Sequence, residues 1–91
     1  MTEPFDPAKR ASNLEKHGVD LAEADKFDWE TALVRADVRF DYPEPRMVAM
    51  GLIGPRLYVL VFTVERRAMR ASSLRKANNR EIDRYLKESD G

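Results

Sequence analysis

Apolar residues in this 91-residue chain follow helical spacing at both ends and strand-like spacing between them. Ala8, Ala11 and Leu14 recur at intervals that place them on one side of a helix. Asp6-Pro7 predicts where that helix starts, because an Asp carboxylate accepts orphan backbone N–H groups and proline fits the first turn. His17-Gly18 predicts its end: a cation-capable side chain in the last turn, then a residue that takes a left-handed cap without steric penalty. A second short helix follows. Asp20 and Glu23 form a D-x-x-E capping pattern, Val19 and Ala24 stand at the positions of a hydrophobic staple, and the segment ends near Phe27 or Asp28.

The middle of the chain changes character. Residues 31–36 and 46–53 read as strands, separated by a polar loop over 37–45 with two prolines. Gly54-Pro55 is a turn signal. Residues 57–64 are apolar on both faces, as expected of a central, covered strand. Glu65-Arg66-Arg67 turns the chain into a fourth strand over 68–73, with Arg75 just beyond it. No helix interrupts the four strands, so they should pair as an antiparallel meander. Asn78 and Glu81 give an N-x-x-E cap to a last helix, whose apolar stripe is Ile82, Tyr85 and Leu86. The order is α-α-β-β-β-β-α. With the helices packed on one face of the sheet, it makes a single α+β domain over residues 1–91.

Charge sharpens this picture. Sixteen basic and sixteen acidic residues cancel overall, but residues 66–87 carry +6 and the remainder −6. A local positive field attracts a polyanion such as RNA or DNA even at zero net charge, and an acidic remainder limits indiscriminate binding. No cysteine is present, which removes disulfides and thiolate metal sites and fits a cytoplasmic protein. Met1-Thr2-Glu3-Pro4 is neither basic nor apolar, unlike a signal peptide. The longest apolar run, residues 57–62, is too short to span a bilayer.

Two blocks of residues carry a family resemblance. The first is Phe5-Asp6-Pro7-Ala8-Lys9, Asn13, Lys16-His17-Gly18-Val19 and Glu23-Ala24. The second is Arg70, Ser73, Arg75-Lys76-Ala77, Glu81 and Tyr85. In order and spacing this combination resembles the BrnT family of type II toxins, and Asp37, Glu44, Arg46 and Thr63 also sit where that family tends to place similar residues. The resemblance implies a RelE-like fold and a ribonuclease that arrests translation. It also implies a BrnA-like antitoxin whose ribbon-helix-helix portion binds operator DNA, so that the toxin meets DNA only through its hetero-oligomeric partner. This chain departs from the pattern in a short loop, Asp41-Tyr42-Pro43-Glu44-Pro45, and in a fourth strand, Met69-Arg70-Ala71-Ser72-Ser73, with few β-branched residues.

RNA cleavage requires that a 2′-hydroxyl lose a proton, that the phosphorane charge be stabilised and that the leaving 5′-oxygen gain a proton. One His and no Cys make a transition-metal site a poor expectation, although carboxylates could hold Mg²⁺; the route preferred here is metal-free, with no cofactor. Arg70 and Arg75 are the first candidates for charge stabilisation, since a guanidinium fork matches two phosphate oxygens. The alternatives for them are a solvated strand residue and a salt bridge to the acidic body. Arg46, opening the second strand, joins them if the meander brings strands two and four to one site. His17 is the one side chain with an ordinary pKa near neutrality, but a helix C-terminus also favours it. Glu81 and Tyr85 lie one helical turn apart and could move a proton, or Tyr85 could stack on a base; a capping box and an apolar stripe are the structural alternatives. Lys16, Lys76 and Arg80 are candidates for RNA binding, and Lys9 is a weaker one.

Two other functions compete: a toxin homologue without catalysis that serves as an antitoxin-binding or operator-binding co-repressor module, and a stand-alone nucleic-acid-binding protein. The chain shows no helix-turn-helix, zinc-finger or RNA-recognition signature for the last.

Overall fold

A computed structural model describes residues 6–37 and 45–89. Residues 38–44, which include Glu44 and most of the expected polar loop, lie outside that description.

Helix α1 spans Pro7–His17. Asp6 accepts the Ala8 N–H at 2.8 Å, and Gly18, at φ 67°, returns its N–H to the Leu14 carbonyl at 2.8 Å. The expected second helix is a six-residue 3₁₀ segment, Leu21–Lys26. Its bonds run three residues back, as in Glu23 N–H to the Asp20 carbonyl at 2.9 Å, and a segment this short forms no α ladder. The D-x-x-E box does not close either. Asp20 accepts the Ala22 N–H, but Glu23 pairs with Lys26 at 3.1 Å. The staple residues Val19 and Ala24 are both buried.

Four antiparallel strands follow in spatial order β1-β2-β3-β4: β1 (Leu33–Ala36), β2 (Arg46–Ile53), β3 (Arg56–Glu65) and β4 (Ala68–Lys76). The meander is the expected one. β1 starts two residues later than expected, because Asp28 accepts the Glu30 N–H and the Thr31 hydroxyl and holds that stretch as a turn. β4 runs three residues further than expected, through Leu74, Arg75 and Lys76. It contains a bulge: Ser73 faces Val61, Ala71 faces Phe62, and Ser72 is the extra residue between them. Helix α2 (Asn79–Ser89) closes the chain behind a complete capping box, with Asn78 N–H to Glu81 Oε1 at 2.9 Å and Glu81 N–H to Asn78 Oδ1 at 2.8 Å.

The helices do not share one face of the sheet. Alternation along β2 and β3 sends Ala49, Leu60 and Phe62 toward Val19, Leu21 and Phe27, and sends Met50, Leu57 and Val59 toward Ala77 and Tyr85 of the other side. The strand over 57–64, apolar on both faces as expected, is covered on both only near Leu57 and Val59; Val61 is half-buried and Val64 is exposed. Leu21, Leu60 and Leu74 are fully buried, each contributing about 1.5–3 kcal/mol. The tip of the Phe27 ring lies against Gly51, where a Cβ would stand 2.7 and 3.0 Å from ring carbons, and the ring makes an edge contact with Trp29 at 4.8 Å between centroids. On α2, Tyr85 is buried and Ile82 half-buried, but Leu86, expected in the same stripe, is 57% exposed.

Candidate functional site

The face that α2 covers at one end is concave along the rest of its length. Cross-strand pairing places Arg46, Thr63 and Arg70 in one row across β2, β3 and β4, and Arg35, Val48, Val61 and Ser73 in the next row across all four strands. Residues directly opposite share a face, so both rows point the same way. Two of the depressions along this face are lined by candidate residues. One, of about 510 Å³, runs between β1–β4 and α2 and is lined by Arg35, Arg75, Glu81 and Arg84. The other, of about 380 Å³, lies between α1 and the sheet and is lined by Lys9, Lys16, Arg46, Ser72 and Ser73. Asp37 and Val61 line both, so the two adjoin, and together they are called the groove. Six cations face it (Lys9, Lys16, Arg35, Arg46, Arg75 and Arg84) against the carboxylates Asp37 and Glu81.

Arg75 is held firmly. Its Nη1 and Nη2 donate to Glu81 Oε1 and Oε2 at 2.8 and 2.7 Å, and both side chains are partly exposed. The bidentate bond raises the Arg75 pKa above its ordinary value. Glu81 is held below the usual carboxylate range by the same hydrogen bonds first, then by the Asn78 N–H and the charges of Arg75 and Arg35, against the opposing effect of burial. Glu81 therefore serves as an ionised acceptor that orients Arg75 and caps α2. The salt bridge weighed for Arg75 exists, but its partner comes from the basic segment and not from the acidic body.

The other candidates are placed as follows. Arg70 is exposed and pairs with Thr63 on the groove face of the sheet, but lines neither depression. Arg46 is half-buried, and its carbonyl accepts the Asp37 N–H at 2.8 Å. Lys16 lines the groove, while the neighbouring His17 is exposed and lines neither depression. Tyr85 is in the core, with its hydroxyl donated to the Thr31 carbonyl at 2.9 Å. Lys76 and Arg80 are exposed outside both depressions; Lys76 pairs with Tyr58 on the opposite face of the sheet from Arg75. Ser72 Oγ is buried with no hydrogen-bond partner among the described residues.

The structure adds Arg35 and Arg84, which were absent from the sequence candidates. Arg35 joins through strand register and Arg84 because it lies one turn from Glu81 on α2. Among the described residues, no three His, Asp or Glu side chains are grouped so as to hold a metal ion. Nor is any helix among them long and apolar enough to cross a membrane.

The family model for the ribonuclease toxin BrnT of type II toxin–antitoxin systems matches residues 5–81. The chain belongs to the BrnT family. No individually curated protein matches it. The BrnT match takes in Lys16, Arg46, Arg70, Arg75 and Glu81 and ends before Arg84 and Tyr85. A type II toxin implies an antitoxin partner.

Proposed function

We propose that this BrnT-family chain is a cytoplasmic, metal-independent endoribonuclease with a RelE-like arrangement of its sheet, and that it arrests translation until a BrnA-like ribbon-helix-helix antitoxin neutralises it. The observation that carries the reading is the groove of two adjoining depressions, with six cations, on one face of the sheet. A scissile phosphate there meets guanidinium and ammonium groups held by strands and by an ion pair, and pre-organised charge is the largest single contribution enzymes make to such reactions. The 2′-oxygen attacks the adjacent phosphorus while losing its proton. The P–O5′ bond breaks and the 5′-oxygen takes up a proton, leaving a 2′,3′-cyclic phosphate and a 5′-hydroxyl. Arg70, Arg46 and Arg75 are assigned to the phosphorane charge. Lys16 is assigned to the RNA backbone within the groove, with Lys76 and Arg80 at its margins. Glu81 is a positioning residue for Arg75, and His17 acts only if the bound RNA reaches the end of α1.

The test is incubation of purified protein with RNA in the presence and absence of EDTA. Cleavage that survives EDTA, yields a cyclic phosphate and falls at least ~100-fold in Arg70→Ala/Arg75→Ala supports the reading. Cleavage abolished by EDTA, or equal in the double variant, overturns it.

One observation favours a second reading. The Nη1–Nη2 edge of Arg75 is taken up by Glu81 and so is not open to a phosphate, which suits a module that binds its antitoxin without cutting RNA. Induced expression that leaves translation untouched, while the toxin–antitoxin complex still forms, would select that reading. Under either one, a cationic groove is neutralised by an acidic segment, and the association rate falls as salt rises.

A further inference from the structure

The β3–β4 hairpin turns through Arg66 and Arg67, whose φ angles are 51° and 66°. A two-residue connection with both central residues left-handed suits the twist of the flanking strands, and Asn-Gly is the pair that adopts it with least strain. A Cβ in this region crowds the following carbonyl oxygen. The chain therefore keeps two consecutive strained residues at a site where a commoner pair would fold more easily. Both arginines are exposed, and neither they nor Arg70 make an ion pair or side-chain hydrogen bond among the described residues.

The location supplies a reason. Arg67 lies in the turn one residue before β4 and three residues before Arg70, a span of at most about 10 Å. Arg70 stands in the row with Thr63 and Arg46 that ends the groove. The tip thus lies at the end of the sheet where Arg46 and Arg70 stand, beyond the last residue that lines a depression. Backbone strain retained under exposed guanidinium groups that have no partner among the described residues points to a contact those side chains make with a ligand.

We propose that Arg66 and Arg67 form a phosphate-binding clamp for the RNA strand lying in the groove, separate from the groups at the scissile bond. Arginine suits this, because its fork engages phosphate oxygens in pairs whatever the base. The proposal rests on the reading of the chain as an RNA-cleaving enzyme.

The test compares the full chain with Arg66→Asn/Arg67→Gly, which keeps the turn and removes both charges. The probe is a fluorescent RNA oligonucleotide with 2′-O-methyl groups, which has no 2′-hydroxyl to attack. The variant should melt about 4 °C or more above the parent. Its affinity should be roughly tenfold lower near 0.1 M salt, and the slope of log K against log salt shallower by about 1.4. Arg66→Lys/Arg67→Lys should keep most of that slope. Unchanged affinity and slope in the Asn-Gly variant overturn the clamp, and a simultaneous loss of polyglutamate binding would assign the tip to an acidic protein instead. A parent protein that cleaves unmodified RNA while the variant binds like it defeats the clamp alone. A parent that neither binds nor cleaves RNA defeats the enzyme reading and the clamp with it.

Discussion

Arg70 and Arg75 present their side chains on the same face of the sheet although they lie five positions apart within one strand. In a regular strand an odd separation sends two residues to opposite faces. The bulge at Ser72 resets the alternation: Arg75 lies opposite Val59, Ser73 opposite Val61 and Arg70 opposite Thr63, all three partners on one side of β3. The extra residue therefore puts both guanidinium groups on the groove side and keeps Ala71 and Leu74 in the core on the other.

Arg46 and Arg70 flank Thr63 from the two neighbouring strands, about 10 Å apart across the sheet at the usual strand spacing. Long side chains converging on one phosphate act as a unit, and such effects are not additive. Arg46→Ala and Arg70→Ala should each lower kcat/KM for RNA cleavage about 10²–10³-fold, and the double variant should lose at least tenfold less than their product. Steady-state cleavage of a defined oligonucleotide checks this; strictly multiplicative losses would place the two groups at separate phosphates.

Glu81→Gln separates the ion pair from the helix cap, because Gln also closes a capping box. It should cost about 1–2 kcal/mol at pH 7, by replacing a charge-assisted bidentate bond with a weaker one. The folded pKa of Glu81 is depressed, so its contribution is complete above the ordinary carboxylate value of 4.5 and is lost as pH falls through the lower folded value. The gap between parent and variant should therefore close as pH drops below 4.5. Asp20, lowered to about 2 first by its hydrogen bond from Arg10, loses its own contribution between 3.8 and that value in both proteins. Urea unfolding at a series of pH values measures the gap; one that persists at pH 2 would separate it from Glu81 ionisation.

Local signals were legible in the sequence. Asp6, Gly18 and the Asn78–Glu81 box act within one turn of helix, and each caps where expected. The bounds of β2, Arg46–Ile53, were read without error because a proline and a Gly-Pro turn bracket it. What depends on register was not legible. Nothing in the order Met69-Arg70-Ala71-Ser72-Ser73 shows which residue is the unpaired one, so β4 ended early and Arg75 fell outside it. Arg35 reaches the groove through pairing with Val48, and Asp37 through its position at the end of β1, both tertiary facts. Charge segregation pointed to the basic segment alone, whereas Lys9, Lys16, Arg35 and Arg46, which also line the groove, all come from the part of the chain that is acidic overall.

Tyr85→Phe tests whether the phenol is structural. The bond from its hydroxyl to the Thr31 carbonyl ties α2 to the turn before β1. Its loss should lower stability by about 0.5–1.5 kcal/mol and leave the cleavage rate unchanged, since the hydroxyl points into the fold. Thermal melts and RNA cleavage by the same preparation read both effects. A tenfold drop in rate at intact fold would return Tyr85 to the reacting groups.

Asn13 closes the outer edge of β4 from 61 residues away. Its Nδ2 donates to the Leu74 carbonyl at 2.7 Å and the Val19 carbonyl at 2.9 Å, and its Oδ1 accepts the Leu74 N–H at 2.9 Å. The side chain is 4% exposed and behaves like one residue of a fifth strand. Asn13→Ala leaves three buried backbone groups without partners and should cost about 2–4 kcal/mol. Asn13→Asp should be at least as damaging at pH 7, because an ionised carboxylate has no proton to give and faces two carbonyl oxygens. Burial and those oxygens raise the new carboxyl's pKa, and a raised value makes the folded state relatively more favourable as pH falls. Protonation also restores one donor. The Asp variant should therefore recover toward the parent on acidification while the Ala variant does not. Parallel unfolding curves for the three proteins between pH 7 and pH 4 decide it: equal deficits for Asp and Ala across that range would mean that the edge of β4 needs only the volume of Asn13 and not its amide.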